Sequence, residues 1–149
     1  MIIRILFLLF AVISFNLSSK EILVSIANKK VHLMVADTKE LRARGLMGVS
    51  SLPEDKGMIF FWKSADRRCM WMKNTSIELS VAFINSNQMI AEIKDLEPYN
   101  TKSICSRSND IVSAIEMNKN WFKENNIRNI LGEAIPPILL KKIIQQILV

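Results

Sequence analysis

The residues of this chain best suited to hold a ligand are Lys73, Asn74 and Thr75, which directly follow an apolar segment. A cation, an amide and a hydroxyl at the end of a strand can bind an anionic or sugar-like molecule. Trp71 and the more distant Arg44 complete the predicted ligand-binding set. Structural roles compete with this hypothesis, because asparagine is a common turn residue, tryptophan on a strand packs in a core, and arginine satisfies carbonyls at a helix end.

The two cysteines, Cys69 and Cys105, leave two interpretations open. An even pair in an oxidising compartment can form a disulfide. Alternatively, Cys69 is a buried free thiol, since its neighbours are Met70, Trp71 and Met72. The absence of a Cys-x-x-Cys pair argues against a thioredoxin-like redox role.

Catalytic and metal-binding arrangements find little support in the sequence. His32 is the only histidine, and no cysteine or acidic cluster accompanies it, so a zinc site is not expected. No glycine-rich phosphate loop is present. A carboxylate pair for glycoside hydrolysis can be assembled from common acids, but any protein offers such sets. These acids are Glu40, Asp55, Glu78 and Glu116. The sequence therefore favours a non-enzymatic protein without metal or cofactor, and a hydrolase is the weakest alternative.

Composition indicates one globular domain. The chain has 149 residues, of which 50% are hydrophobic and 23% charged. That length suits a single domain with its own core. The net charge is +6, but the basic residues are scattered and form no run of the kind that binds nucleic acid. We therefore expect no nucleic-acid partner.

Residues 1–19 have the parts of a secretory signal peptide. Arg4 supplies the positive start, Ile5 to Phe15 form the apolar run, and Asn16 to Ser19 are polar or small around a cleavage site. The run is short for a bilayer span, which needs about 20 apolar residues. The segment predicts an exported, periplasmic or otherwise extracytoplasmic protein, with an uncleaved N-terminal anchor as the alternative.

Alternating apolar residues, together with short apolar runs between turn signals, predict a β-rich domain over residues 20–135. The predicted strands are the hairpin Glu21 to Ala36, Met58 to Trp62, Cys69 to Met72, the hairpin of Val81 to Ile84 with Met89 to Ile93, and Ile111 to Met117. Charged or polar connections are expected at Lys63 to Arg68 and at Leu96 to Asn109.

Two short helices are expected outside the sheet. Asp37 and Glu40 are spaced as a capping pair for the first. Asn118 can cap the second, which runs through Asn125, and Asn126 can close it in a left-handed conformation.

Residues 136–149 form a separate tail. Pro136 and Pro137 introduce Ile138 to Val149, whose polar residues recur at helical spacing. These polar residues are Lys141, Lys142, Gln145 and Gln146. The pattern predicts an amphipathic helix that packs on the domain, or else lies on a membrane or in the groove of a partner.

Several ordered motifs resemble the domain of unknown function 192 family. They are Val35 to Thr38, Arg42 to Met47, Ser51 to Phe60, Trp71 to Thr75, Ala82 to Ile84, Ile115 to Asn118 and Gly132 to Glu133. The resemblance covers about Val31 to Ile135. Asn120 and Asn126 stand where the family usually has glycine, and asparagine is the next-best residue for a left-handed turn. Ser80 stands near a family position that tends to be Asp, which weakens any role for an acid there.

The resemblance implies a fold but no reaction. It implies a compact, antiparallel β-barrel-like domain with short peripheral helices, so the expected class is mainly β (α+β). It also implies exported or membrane-associated prokaryotic proteins. We expect an extracytoplasmic binding or accessory module for a small polar ligand or an envelope component. The alternative is a structural protein that makes peripheral membrane contact, or docks on a partner, through its C-terminal helix.

Overall fold

A computed structural model describes residues 20–26 and 28–127. The predicted signal peptide, the Gly132-Glu133 turn and the C-terminal helix lie outside the described residues and stay predictions. Eight strands and two short helices follow one another along the described chain. They are β1 (Glu21–Ile26), β2 (Lys29–Ala36), α1 (Lys39–Arg44), β3 (Lys56–Asp66), β4 (Cys69–Met70), β5 (Leu79–Asn85), β6 (Ile90–Leu96), β7 (Ile104–Cys105), β8 (Ile111–Asn118) and α2 (Trp121–Glu124).

Six of these strands form one sheet in the order β1-β2-β3-β8-β5-β6. The mainly β class expected from the sequence is therefore confirmed. The barrel-like closure is not, because β1 and β6 are the two edges of an open sheet in the described structure. The sheet is also mixed: β2 pairs with β3 in parallel, while its other neighbouring strands are antiparallel. A parallel pair needs a crossover connection, and residues 37–55 supply it and carry α1.

The two predicted hairpins are present. In β1, Ile22, Val24 and Ile26 are buried while the residues between them face solvent, as expected for a strand with one covered face. Asn28 has a φ of 66°, which suits its turn between β1 and β2. His32 lies on β2, where its Nδ1 is 3.0 Å from a carboxylate oxygen of Glu21.

The central strands of the sheet are covered on both faces. Successive side chains of a strand point to opposite faces, so Ile115 and Met117 of β8 lie in one apolar cluster and Ala114 lies in the other. We call the first side the closed face. It is covered in part by Trp121 and Phe122 of α2. The other side, the cavity face, is covered by irregular segments rather than by a long helix.

Several predicted boundaries were wrong, each for a local reason. Thr38, not Asp37, caps α1, because its hydroxyl reaches the Leu41 N–H at 3.2 Å. Strand β3 continues to Asp66 through residues predicted as a connection, since it extends beside β8 as far as the Asp66–Ile111 pair.

The second helix also begins later than predicted. Asn118 ends β8 and donates its side-chain amide to Leu52 O at 2.8 Å, so it does not cap α2. Asn120 is the residue before α2, with a φ of 68°, and Asn126 has a φ of 59°. Both asparagines therefore adopt the left-handed conformation expected of them.

A second, two-stranded sheet joins distant segments. Cys69 of β4 lies opposite Cys105 of β7, and a disulfide links them across a sequence separation of 36 residues. The segment 104–107 is held in turn by β6, since Lys94 donates to Cys105 O and Glu92 accepts from the Arg107 N–H. The disulfide thus ties Cys69 and the residues after it to the main sheet.

Candidate functional site

A cavity of about 330 Å³ opens on the cavity face of the sheet. Its floor is the sheet, one wall is α1 with the turn that follows it, and the opposite wall is the segment 69–72. It is lined by Lys39, Arg42, Ala43, Arg44, Gly45, Leu46, Met47, Phe60, Trp62, Cys69, Met70, Trp71, Met72, Thr75 and Glu116. Its size lies at the lower end of the range for small-molecule sites.

The inner surface of the cavity is largely apolar. Phe60 and Trp62 project from β3 with ring centroids 6.3 Å apart, and Met70 and Met72 from the opposite wall are buried. An apolar lining with a few polar groups is typical of sites for small organic ligands.

Two arginines brace the Trp62 side of the cavity. The guanidinium carbon of Arg68 lies 4.9 Å from the Trp62 ring centroid, and that of Arg42 lies 5.9 Å from it. Arg42 Nη1 also donates to Asp37 O at 2.6 Å and to Phe61 O at 2.8 Å. These bonds fix α1 against β3, so the guanidinium of Arg42 serves the structure of the wall.

The turn after α1 brings backbone close to the floor. Gly45 has a φ of 49°, and a Cβ at this position would lie 3.6 Å from the Phe60 ring. That distance is an ordinary contact, so it is the left-handed backbone, rather than lack of space, that favours glycine here. The turn places Leu46 in the buried cluster of the cavity face.

Glu116 is the unusual group of the cavity. It lies on β8 between Met58 of β3 and Val81 of β5, and it is only 4% exposed. Among the residues that the structure describes, its carboxyl group has no hydrogen-bond or ion-pair partner. Burial raises the pKa of Glu116 from 4.5 to about 8, because an ionised carboxylate is poorly solvated there. At neutral pH the group is therefore mostly a carboxylic acid, able to donate one hydrogen bond and accept others.

The outer part of the cavity is positively charged. Lys39 and Arg44 line it and are exposed, and within residues 20–26 and 28–127 neither forms a salt bridge. Glu116 is the single acid among the residues named as its lining. The cavity therefore combines a neutral acid at its floor with cations at its mouth that form no salt bridge to a described residue.

Three of the five predicted ligand-binding residues line this cavity. They are Arg44, Trp71 and Thr75. Lys73 instead lies with its Nζ 5.4 Å from the Trp71 ring centroid, on the exposed side of the segment. Asn74 has a φ of 54°, and its carbonyl accepts a hydrogen bond from Gly48 N at 3.0 Å. Its position in a turn is the structural role that competed with ligand binding in the sequence.

Glu116 was predicted only as one of four acids, and nothing in that prediction separated it from the other three. Glu40, Asp55 and Glu78, with which it was grouped, are exposed and do not line the cavity. The described part of the cavity thus lacks the second carboxyl group that glycoside hydrolysis requires. A signal for Glu116 did exist: β8 is apolar on both faces, which is typical of a strand buried on both sides, so a glutamate within it had to be buried.

Two further features are absent from the described residues. No group of three or more His, Cys, Asp or Glu side chains is arranged to hold a metal ion within them. None of the helices formed by residues 20–26 and 28–127 is both long and apolar enough to cross a bilayer.

Two solved structures resemble this fold. A protein from Sinorhizobium meliloti 1021, described as a proposed transcription regulator, is 25% identical over 75% of this chain and 91% of that chain, with a TM-score of 0.68. A protein of unknown function from Novosphingobium aromaticivorans DSM 12444 is 23% identical over 72% of this chain and 79% of that chain, with a TM-score of 0.64. No curated protein matches the chain.

The family comparison agrees with the motifs noted in the sequence. The domain of unknown function 192 family (DUF192, "Uncharacterized ACR") matches residues 22–130. Apart from Glu21, the first residue of β1, that range includes every strand and helix of the described structure and each of the residues that line the cavity. The chain therefore belongs to the domain of unknown function 192 family.

Proposed function

We propose that this protein is an extracytoplasmic binding module that holds one small polar ligand in the cavity between α1 and the segment 69–72. The observation that carries the proposal is the buried carboxyl group of Glu116, which faces the cavity without a described partner. A buried polar group without a hydrogen bond costs about 1–3 kcal/mol. A ligand that provided the missing partner would recover this free energy.

The surroundings of Glu116 support binding rather than catalysis. The described residues that line the cavity include one carboxyl group, no histidine and no thiol, since Cys69 is oxidised. Nucleophilic catalysis by a hydroxyl or thiol typically needs an adjacent base to activate the nucleophile. The apolar walls and a single polar contact at the floor instead suit recognition of a bound molecule.

Export is the second part of the proposal. It rests on the signal-like sequence of residues 1–19, and a disulfide in the folded domain is consistent with an oxidising compartment. Fractionation of cells that produce the full chain tests it. Recovery with the periplasmic or envelope fraction, with the cysteines oxidised, is expected, whereas a cytoplasmic protein with free thiols would contradict it.

Native mass spectrometry of the protein purified from its own cell envelope tests ligand binding. We expect a small molecule to co-purify and to be lost when the cavity is filled by Ala43→Trp, which adds a ring at the exposed cavity wall. Glu54→Gln changes an exposed acid outside the cavity and serves as the control. A bare polypeptide mass, together with no binding of small molecules in a ligand screen, would refute the proposal.

The docking role of residues 138–149 is the alternative function. It rests on the helical spacing of polar residues in that segment. Deleting residues 138–149 should leave ligand binding intact if the cavity is the functional site. If the deletion also released the protein from the membrane fraction or from a complex, residues 138–149 would have a docking role that is separate from ligand binding.

A further inference from the structure

We propose that the ligand of this cavity is a small amphiphilic anion, whose acidic head lies at Arg44 and Lys39 and whose inner end presents an oxygen acceptor to Glu116. This inference rests on the proposed function, because it names the class of molecule that the same cavity would take. Three properties of the cavity lead to it: the charge at the mouth, the lining of the walls and the hydrogen-bonding capacity of the floor.

The charge at the mouth selects the head group. Three cations and one acid line the cavity, so its electrostatic potential is positive whether or not Glu116 is ionised. Arg42 is already bonded to two backbone carbonyls. Arg44 and Lys39 have no salt-bridge partner in the part of the chain that is described, which leaves them available to a carboxylate or phosphate.

The walls select the body of the ligand. Aromatic rings and thioether groups line the inner part of the cavity; they belong to Phe60, Trp62, Met70 and Met72. The side chains of methionine are flexible and adapt to the shape of an apolar guest. A fully hydrated anion would forgo these contacts, whereas an anion with a hydrocarbon body would use them.

The floor selects the inner end. Near neutral pH Glu116 carries a proton and can donate it in a hydrogen bond to a hydroxyl, carbonyl or ether oxygen. The groups that face Glu116 from the packed elements are Met58 of β3 and Val81 of β5. The only charged side chains among the other lining residues are Lys39, Arg42 and Arg44. A cationic inner end would have to approach past these three charges, so the arrangement disfavours an amine.

Probes with one hydrocarbon body and different ends separate these contributions. 8-Hydroxyoctanoate, octanoate, octyl phosphate, octylammonium and 1-octanol are titrated into the full oxidised protein by calorimetry at pH 7. We expect both anionic head groups to bind at least about tenfold tighter than octylammonium or 1-octanol, since hydrogen bonds between ionised groups are stronger than those between neutral groups. The hydroxyl at the far end should strengthen octanoate binding. A preference for carboxylate or for phosphate then separates a fatty-acid-like ligand from a lipid-headgroup-like one.

Two variants test the assigned contacts. Arg44→Gln should weaken octanoate about tenfold and leave 1-octanol unchanged, while Lys63→Gln, which removes an exposed charge outside the cavity, should change neither. Glu116→Gln keeps a hydrogen-bond donor. It should therefore preserve the binding of 8-hydroxyoctanoate at pH 7 and abolish the loss of affinity that the native protein shows above about pH 8, where Glu116 ionises.

The outcomes distinguish this inference from the function on which it rests. Octylammonium could instead bind most tightly, with an affinity that rises above pH 8 and is lost in Glu116→Gln. This result would refute the inference of an anionic ligand but would leave the proposed binding function in place. Absence of binding by every probe would overturn the inference. The proposed function would nevertheless stand if native mass spectrometry showed a co-purified molecule that is lost in Ala43→Trp. If no molecule co-purified, the inference and the proposed function would both be refuted.

Discussion

The two faces of the six-stranded sheet are both buried, yet they are covered in different ways. On the closed face, side chains of neighbouring strands and of α2 pack directly on one another. On the cavity face, the cover consists of the short helix α1, a turn and a disulfide-linked loop, which leave a space of about 330 Å³. Two adjacent residues of β8 show this difference: Met117 packs on the closed face, while Glu116 faces the cavity.

The comparison teaches where this fold can accommodate a ligand. Packed interiors have few voids larger than a water molecule, and Gly57 shows how tightly the closed face is filled. A Cβ on Gly57 would lie 2.3 Å from the Met117 sulfur and 2.4 Å from Glu116 O. The segments that cover the cavity face are irregular, and they are held by the hydrogen bonds of Arg42 and by the disulfide. They therefore leave a space above the sheet instead of packing closely on it.

The largest expected effect concerns Glu116 and pH. The folded protein keeps the Glu116 proton up to a pKa of about 8, whereas the unfolded chain releases it near 4.5. Between these values the folded state binds more protons, so the free energy of unfolding contributed by this group falls as pH rises, by about 1.4 kcal/mol per pH unit. Glu116→Gln should remove this dependence and stabilise the empty protein at pH 8 by up to about 4 kcal/mol.

Urea unfolding at pH 5, 6, 7 and 8 measures this difference. Glu54→Gln is the matched control, because the same substitution at an exposed site should leave the slope unchanged. Equal slopes for the native protein and Glu116→Gln would show that the carboxyl group is solvated, and that the two faces do not differ in the way described.

The next effect concerns the cover of the cavity. Replacing both Cys69 and Cys105 by alanine removes a cross-link over 36 residues and should lower the free energy of unfolding by about 3–4 kcal/mol in the chain-entropy model. The wall formed by residues 69–72 also loses its tether, so octanoate affinity should fall. Reduction of the native protein by dithiothreitol should reproduce both changes and leave the double variant unaffected. Unaltered octanoate binding after reduction would mean that the loop does not shape the cavity.

The smallest of the three effects tests the closed face. Gly57→Ala should cost about 3 kcal/mol of unfolding free energy, at the upper end for overpacking, because one of the atoms that it meets is a backbone oxygen that cannot rotate away. Gly48→Ala is the control: a Cβ there meets nothing within 4 Å, and only the positive φ of 76° opposes it. Its cost should be about 1 kcal/mol. Equal costs for the two variants in urea unfolding would contradict tight packing at Gly57.

Local features of the fold could be predicted from the sequence. The alternation in β1 and β2, with Asn28 between them, identified the first hairpin, and the left-handed conformations of Asn120 and Asn126 followed from their residue type. Each of these features depends on neighbours in sequence. The open or closed state of the sheet does not: it depends on whether the edge strands β1 and β6 pair with each other, which alternation alone cannot indicate.

The candidate site was predicted only in part for the same reason. Trp71 and Thr75 were chosen because they sit together in sequence, and both line the cavity. Lys73 lies in the same segment but is exposed and does not line the cavity, and its ammonium group lies over the Trp71 ring. Glu116 reaches the cavity from a strand more than forty positions from Trp71, so its role emerges only when the strand order places β8 in the middle of the sheet.

The position of β8 has a consequence for how the chain folds. Strand β8, the last strand among the described residues, lies between β3 and β5. Within the described sheet it is the only link between β1-β2-β3 and β5-β6. Until residues 111–118 have been synthesised, β3 and β5 each expose an unpaired edge with apolar side chains on both faces, a surface that promotes aggregation. Completion of the sheet is therefore postponed until β8 has been synthesised, and a nascent chain that stops before Ile111 should be recovered as an aggregate or bound to a chaperone.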